Sequence, residues 1–389
     1  MDNNIIGKKG LENLGNTCYL NTIIQTLSNL QLFRDFLLDD KYIPFLLDKI
    51  DNDLALNSQI NYVYNSIIYQ FYRLINTIWS SENDSTSLKP ITLKKKLGLI
   101  NEIFKHKEQH DVQEAFTIII EQLHKELCSK INYKISDNPT NLENACLNFW
   151  AKEYSPIYNM FHGMYLNTKI CLSCYNKTEN YEPNLFLSLD IPEIINIDNF
   201  KTINYIDIKC KKSNINIENE TKEKMCELID EKTINKLKNE YINDIKDNNT
   251  YDLSECLTEY YKTKIIENVY CNHCNNTCDN NISYELIIPP KILCIQLKRF
   301  NSELNKKNNN ITFPINLDII INQNNEKYKL SSVINHNGNS LDFGHYYNYT
   351  FSSYYEEWFA FNDDNVYEIK EDKIYSKNAY LLFYEKIIN

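Results

Sequence analysis

Glycine is scarce, with 7 in 389 residues. Left-handed turns and close backbone approaches are therefore few, and each glycine marks a position worth locating. Long apolar runs are missing as well. No stretch approaches the roughly 20 apolar residues that span a bilayer, and the N-terminal MDNNIIGKKG has no apolar core of a signal peptide. The expectation is an intracellular protein of cytoplasm or nucleus, with no membrane association and with its thiols reduced. Positive charge is in deficit, 41 Lys and Arg against 52 Asp and Glu, for a net charge of −11. That balance argues against nucleic acid as a partner, which would need Lys/Arg clusters, and favours a basic one. The same charge also serves simply to keep a protein in solution. No internal repeat is evident.

What the chain does have is apolar and aromatic substance: 43% hydrophobic residues, with 29 Tyr and 17 Phe. This is enough for a packed globular core and for aromatic-lined grooves. There are 12 cysteines. In a reducing compartment they read as nucleophile, metal ligands or core fillers before disulfides.

Helical signals dominate the first third. From Leu20, the residues Ile23, Ile24 and Leu27 form an apolar stripe. Asp111 opens a second helix with Val112, Phe116, Ile119, Ile120, Leu123 and Leu127 on one side, and 62–79 is apolar enough for a buried helix. From about Phe161 the signals turn to strands, as at 291–298 (KILCIQLK), 330–335, 344–351, 358–361 and 379–384. Helices first and strands later predict an α+β protein of two packed lobes. Residues 193–252 shift to Lys, Glu, Asn and Ile and read as an insertion, partly helical around 222–238.

Two of the seven glycines fall in GLENLGNTCYLN, at Gly10 and Gly15, and the helical stripe begins just after Cys18. A cysteine in a first helical turn meets unpaired backbone N–H groups and the positive end of the helix dipole, which favour its thiolate. The same donors suit an oxyanion formed when the thiolate attacks a carbonyl. Small buried cysteines also occur at helix starts, so a base is needed to complete the reading. His345 supplies it, in NHNGNSLDFGHYYNYTF. If the chain reverses about 352–357, facing residues have numbers summing to 707–710, and at the lower end His345 faces Asn362. An imidazole needs a partner on its second nitrogen, and Asn362 would give a Cys-His-Asn set. Asp363, one position on, is the rival.

These segments are similar to the ubiquitin-specific protease family. GLENLGNTCYLN resembles its cysteine box, and VINHNGNSLDFGHYYNYTF with WFAFNDDNV resembles its histidine box. EQHDVQEAF at 108–116, FLSLDIP at 186–192, ILCIQLKRF at 292–300, ITFP at 311–314 and YLLFYEK at 380–386 follow in the family's order. The resemblance implies a papain-like fold across about 10–386. Its helical thumb would occupy about 10–160, zinc-braced fingers about 161–192 and 253–290, and a β palm about 291–386.

It also implies a thiol-dependent deubiquitinase that cuts the bond after ubiquitin's C-terminal glycine, acting as a monomer on ubiquitinated proteins. Cys18 and His345 match nucleophile and base, Asn362 or Asp363 the orienting residue, and Asn13 the side chain that supports the oxyanion. Asp111 and Glu114 are plausible contacts for ubiquitin's basic tail, or else a solvated helix face. Position 115 is Ala, where the family commonly carries a bulky apolar residue. Cys171-Leu-Ser-Cys174 and Cys271-Asn-His-Cys274 form two knuckles able to close one structural zinc site, with Cys278 and His273 as spare candidates. Cys128, Cys146, Cys210, Cys226, Cys256 and Cys294 read as core or incidental. A related isopeptidase for a ubiquitin-like modifier is the alternative within the class. A silent ubiquitin-binding scaffold is the alternative outside it, and the presence of all three catalytic residue types speaks against that one.

Overall fold

The computed structural model describes residues 6–50, 55–81, 85–129, 138–151, 154–191, 250–300, 306–321, 324–340 and 343–387. The helix expected around 222–238, together with Cys210 and Cys226, lies outside the described residues. Among the described residues, no helix is long and apolar enough to cross a membrane.

The first lobe is helical: α1 (Cys18–Asn29), α2 (Gln31–Leu38), α3 (Ile43–Leu47), α4 (Leu56–Asn65) and α5 (Ile67–Trp79). It continues through α6 (Ile91–Ile100), α7 (Val112–Leu127), α8 (Asn141–Cys146) and α9 (Pro156–Phe161). The single helix expected over 62–79 is two. Ser66 breaks it with an extended ψ of 150° and caps α5 by accepting from the Tyr69 N–H. Glu126 of α7 accepts from the next free donors, Ile67 N at 2.8 Å and Ile68 N at 2.9 Å, so the break is stabilised from outside. None of α4 is buried, whereas α5 buries Ile67, Ile68, Phe71, Ile75 and Ile78.

Helix α7 starts where the sequence places it. The Asp111 carboxylate accepts from Gln113 N at 2.7 Å, and the predicted apolar stripe is fully buried. Ala115 and Phe116 are both buried. Phe116 packs edge-on against Phe161, Phe186 and Phe383, with centroids 5.2–5.8 Å away.

Beyond the short parallel pair β1 (Gly10–Leu11) and β2 (Ser87–Leu88), the strands build two larger sheets. A four-stranded sheet has the order β4-β3-β8-β7, from β3 (Gly163–Cys171), β4 (Lys177–Asn184), β7 (Lys264–Cys271) and β8 (Asn276–Ile288). The other strands in chain order are β5 (Phe186–Asp190), β6 (Thr250–Asp252), β9 (Ile292–Lys298), β10 (Asn310–Thr312), β11 (Asn316–Ile321) and β12 (Asn324–Asn337). They end with β13 (His345–Ser352), β14 (Glu357–Asn362), β15 (Asn365–Ile369) and β16 (Ala379–Lys386). The larger sheet runs β15-β14-β13-β12-β16-β9-β5, with β11 added on β12.

Three details differ from the expected division. Strand β5, placed by sequence with the fingers, pairs in parallel with β9 in the larger sheet, and it buries Leu187 and Leu189 there. Residues 250–252, at the end of the expected insertion, form β6 and pair with β10. Among the described residues a further helix, α10 (Leu253–Tyr261), lies among the strands. The Asp252 and Glu255 side chains close a capping box at its start, a signal present in the sequence as Asp-Leu-Ser-Glu.

Strand β9 explains how the lobes join. Ile292 and Cys294 face the helical core, while Leu293, Ile295 and Leu297 face a second core beneath α10 and β11. A strand buried on both faces reads as an unbroken apolar run, which is what ILCIQL is.

Gly10 illustrates the use of a rare glycine. A Cβ there would lie 2.3 Å from the carbonyl oxygen of Asp364, and Leu11 N donates to Asp363 O at 2.8 Å. Both partners are backbone and cannot step aside. Gly10→Ala is expected to cost about 1–3 kcal/mol in urea denaturation, the usual scale for overpacking. A variant as stable as the parent would remove this close approach from the account.

Candidate active site and metal centre

The loop ahead of α1 is wound tightly by its own side chains. Asn13 Oδ1 accepts from Gly15 N and Thr17 N, both at 3.0 Å, and Leu14 N donates to Thr17 Oγ1 at 2.8 Å. The first helical bond is Asn21 N to Thr17 O at 2.9 Å. The N–H groups of Cys18, Tyr19 and Leu20 therefore have no acceptor within the helix. Cys18 is the first residue of α1 and is buried.

His345 opens β13 on the facing sheet. One ring nitrogen, Nε2, lies 2.6 Å from Asn362 Oδ1, and the ring's remaining nitrogen is the one left to meet the Cys18 thiol. The imidazole is raised from 6.5 to about 9, first by the hydrogen bond with Cys18. Half-burial opposes that shift, and the Asn362 bond with the negative charge at Cys18 and Asp363 adds to it.

The hairpin reverses where the sequence suggests, but its register is not the one that sets His345 opposite Asn362. Ser352 pairs with Glu357 and Asn348 with Phe361, so facing numbers sum to 709, not 707. That register carried on sets Asn362 opposite Tyr347, two residues from His345 on the same face. The His345–Asn362 bond is a diagonal contact, which a ring and a carboxamide are long enough to make.

Asp363 turns the other way. It sits in the β14–β15 turn with φ 54°, a conformation that Asp and Asn tolerate. Its Oδ2 accepts from Asn13 Nδ2 at 2.9 Å and its Oδ1 from Asn21 Nδ2 at 2.8 Å. The residue after Asn362 thus ties the histidine hairpin to the cysteine loop and to α1, and it acts on His345 through its charge alone. Asn13 spends one amide hydrogen on Asp363 and keeps a second for another acceptor.

Asp111 and Glu114 separate in role. Asp111 is mostly buried, and its second oxygen accepts from Tyr380 OH at 2.8 Å. Burial raises its pKa, and the bonds from Gln113 and Tyr380 oppose this. Both of its oxygens are committed to the fold. Glu114 is exposed in the first turn of α7 and makes no ion pair among the described residues.

Gln109 was not singled out by sequence reasoning. Its carboxamide accepts from Gly344 N at 2.7 Å and donates to Gly344 O at 2.8 Å, holding the residue just before His345. Gly344 permits this because a Cβ there would lie 2.3 Å from His336 Nε2. The same loop receives Asn16 Nδ2 on Lys107 O at 2.8 Å, two residues before Cys18. The signal lay in EQHDVQEAF, but a loop glutamine has no periodicity to distinguish it.

Far from this cleft, the four cysteines of the two knuckles come together at the end of the smaller sheet. Their sulfurs all lie within 4.8 Å of one another. The pairs Cys174–Cys271 and Cys171–Cys274 stand 3.6 and 4.0 Å apart. Four sulfurs on a tetrahedral zinc at about 2.3 Å would be about 3.8 Å apart, so the set fits a closed structural ion.

Both knuckles turn alike, with Tyr175 at φ 57° and Asn275 at φ 51° just after the second cysteine. Backbone N–H groups point at the first cysteine of each, from Ser173 and Cys174 to Cys171 and from His273 and Cys274 to Cys271, and lower both thiols. That is the direction a thiolate ligand needs. The second cysteine of each knuckle, Cys174 and Cys274, is raised instead, Cys274 chiefly by desolvation, so the set gains its four thiolates only with a cation among them. Of the spare candidates, His273 is exposed and outside the set, whereas Cys278 is buried with its sulfur 3.7 Å from Cys274. Cys256 and Cys294 are core residues, and Cys128 and Cys146 are partly exposed.

Comparison with known proteins places this geometry. The family profile described as "Ubiquitin carboxyl-terminal hydrolase" matches residues 9–384. The human "Ubiquitin carboxyl-terminal hydrolase 2" is 27% identical over 407 residues, covering 97% of this chain and 55% of the relative. The "Ubiquitin carboxyl-terminal hydrolase 4" of Saccharomyces cerevisiae is 25% identical over 424 residues, covering 97% of this chain and 39% of the relative. The chain thus spans about half the length, or less, of these two curated relatives.

Among solved structures, one described as "Structure of the SAGA Ubp8/Sgf11/Sus1/Sgf73 DUB module bound to ubiquitin aldehyde" superposes with a TM-score of 0.67. It shares 21% identity and covers all of this chain and 71% of that one, a likeness of fold. With the profile spanning nearly all of its length, the chain belongs to the ubiquitin carboxyl-terminal hydrolase family.

Proposed function

We propose that the protein is a thiol-dependent deubiquitinase, cutting the peptide or isopeptide bond that follows the C-terminal glycine of ubiquitin. The observation that carries this reading is the line from the Cys18 thiol through His345 to Asn362, with the imidazole raised to about 9. Family membership supports the substrate: the relatives are named for it, and the superposing structure holds ubiquitin aldehyde.

A raised histidine beside a cysteine favours the thiolate–imidazolium pair, the reactive form. The Cys18 thiolate attacks the carbonyl, and the oxyanion forms beside the unpaired N–H groups of the α1 start, with Asn13 Nδ2 as a further donor. His345 gives its proton to the leaving amine, then takes one from the water that hydrolyses the thioester. Asn362 holds the ring in plane throughout. Glu114, exposed and unpaired, is the acid placed to meet a basic substrate tail, while Asp111 shapes the site by capping α7. Zinc held by Cys171, Cys174, Cys271 and Cys274 would saturate its coordination with thiolates and serve structure alone.

Cys18→Ala should remove hydrolysis of a ubiquitin C-terminal fluorogenic conjugate by about 10⁴-fold or more while sparing ubiquitin binding. Turnover that survives the substitution would end the assignment.

The histidine gives a pH prediction with a definite sign. His345 is raised from 6.5 to about 9, so the folded state holds this proton more tightly than the unfolded chain. Its stabilisation is fully present below about 6.5 and is lost as pH rises through about 9. Activity that needs the imidazolium should fall along the same limb. Asn362→Ala should lower kcat by about 10²-fold with little change in KM, and should move the alkaline limb of kcat/KM to lower pH. If Asn362→Ala keeps full turnover and Asp363→Ala does not, the orienting role passes to Asp363.

For the metal, elemental analysis should find one zinc per chain. Cys171→Ser should abolish it and lower the melting temperature by several degrees, while Cys18 still reacts with iodoacetamide. Zinc-free protein of normal stability and activity would refute the metal site.

A further inference from the structure

We propose that Cys274 and Cys278 form a peroxide-oxidisable dithiol, a modification site at which Cys278 is the resolving thiol for a zinc-ligand cysteine. Five sulfurs gather at the end of the smaller sheet, and a tetrahedral zinc takes four. The four that lie mutually within 4.8 Å are Cys171, Cys174, Cys271 and Cys274. Cys278, on β8, is outside that set, yet its sulfur is 3.7 Å from Cys274, as near as the ligands are to one another.

The fifth thiol is not solvent-filling surface. Cys278 is 8% exposed and packs with Cys171 and Cys271 in a small cluster of its own. The carbonyl of Asn276 lies 3.7 Å from its sulfur as an acceptor for the S–H. Cys274 is half-buried and lies in the four-residue turn between β7 and β8, since Cys271 pairs with Asn276. Peroxide can therefore reach Cys274, while Cys278 waits behind it.

The chemistry balances with a peroxide as the only added reactant. The Cys274 thiolate attacks one peroxide oxygen; with a proton from solvent, the products are a sulfenic acid on Cys274 and one water. The Cys278 thiol then attacks the sulfenic sulfur, its proton leaves with the hydroxyl as a second water, and a Cys274–Cys278 disulfide remains. Two thiols are oxidised and one peroxide is reduced. The sulfurs must close from 3.7 Å to about 2.05 Å, within reach of side-chain rotation in a turn. Cys278 suits the second step because it lies outside the four-sulfur set: Cys171, Cys174 and Cys271 would remain to hold a bound ion while it attacks. A zinc site would then be one ligand short, so oxidation of zinc-loaded protein should release the metal.

The inference extends the zinc reading, and its test separates the two. The full-length purified chain is titrated with hydrogen peroxide, zinc release is followed with a chromogenic chelator, and the products are located by tandem mass spectrometry. Activity is not the readout, because peroxide also attacks Cys18. The expected result is a two-hydrogen mass loss placed between Cys274 and Cys278, rising together with zinc release. Cys278→Ser should lack the disulfide, accumulate sulfinic or sulfonic acid on Cys274, and release zinc about tenfold more slowly. Cys278→Ala serves as the second variant should serine not fit the buried position. A disulfide confined to Cys171, Cys174 and Cys271, or zinc release at the parental rate in both variants, would overturn the proposal. A chain that carries no zinc yet forms the Cys274–Cys278 disulfide would refute the metal and keep the dithiol.

Discussion

The structure depends on burying one helix whose sequence is half polar. All 12 residues of α1 are buried, between the other helices and the larger sheet. Asn21, Thr22, Gln25, Thr26, Ser28 and Asn29 go into the interior with the apolar stripe. A buried donor left unpaired costs about 1–3 kcal/mol, more than the roughly 1 kcal/mol a made bond returns, so partners decide whether the helix can sit there. They come from every side: Gln25 Nε2 donates to Lys9 O at 2.8 Å, Asn21 Nδ2 to Leu11 O at 3.1 Å, and Thr26 Oγ1 meets Ser332 Oγ at 3.1 Å. These bonds fix the helix in rotation and in height, and thereby fix its first residue, Cys18.

The base is set by the same demand, met from the opposite lobe. Asn21 requires an acceptor, and the Asp363 carboxylate supplies one at 2.8 Å. Because Asp363 adjoins Asn362, satisfying a buried amide on α1 also locates the carboxamide that is bonded to His345. Gln109 adds a second tie, from the loop before α7 to the backbone at Gly344. The helical lobe and the larger sheet share an apolar core around α1, and these hydrogen bonds, which tolerate less displacement than apolar contact does, set the geometry in which they meet.

Periodicity made much of this legible in advance. The apolar stripes located α1 and α7, the run ILCIQLK located β9, and the spacing of the two knuckles located the four sulfurs. Asn362 was reached for a partly wrong reason. The facing register of 707 is not the one adopted, and the contact survives because diagonal neighbours share a face. The break at Ser66 was not legible, since Glu126, 60 residues onward in the chain, supplies the cap that makes it favourable. Nor was Gln109, whose importance lies in a partner 235 residues away. Local patterns reveal elements, whereas a side chain whose task is to hold a distant backbone looks like any other loop residue. The committed state of Asp111 follows the same rule: its N-cap role is local and readable, its bond to Tyr380 is neither.

The two cysteine chemistries make opposite demands, and the fold keeps them apart. As the nucleophile proposed above, Cys18 would need a neighbour that takes its proton and donors that await an oxyanion, and it stands at a helix start whose first three N–H groups have no acceptor within the helix. As zinc ligands, Cys171, Cys174, Cys271 and Cys274 would need only each other at about 3.8 Å, and backbone N–H groups are already spent on the sulfurs of Cys171, Cys174 and Cys271. A metal near the cleft would compete for Cys18, and a histidine turned toward the knuckle sulfurs would compete as a ligand. His273, inside the second knuckle, is exposed and outside the four-sulfur set. Separation along β3 and β8, nine and thirteen residues long, gives each set of thiols its own electrostatic surroundings. One kind of side chain can then serve as a nucleophile in one place and as a fixed brace in the other.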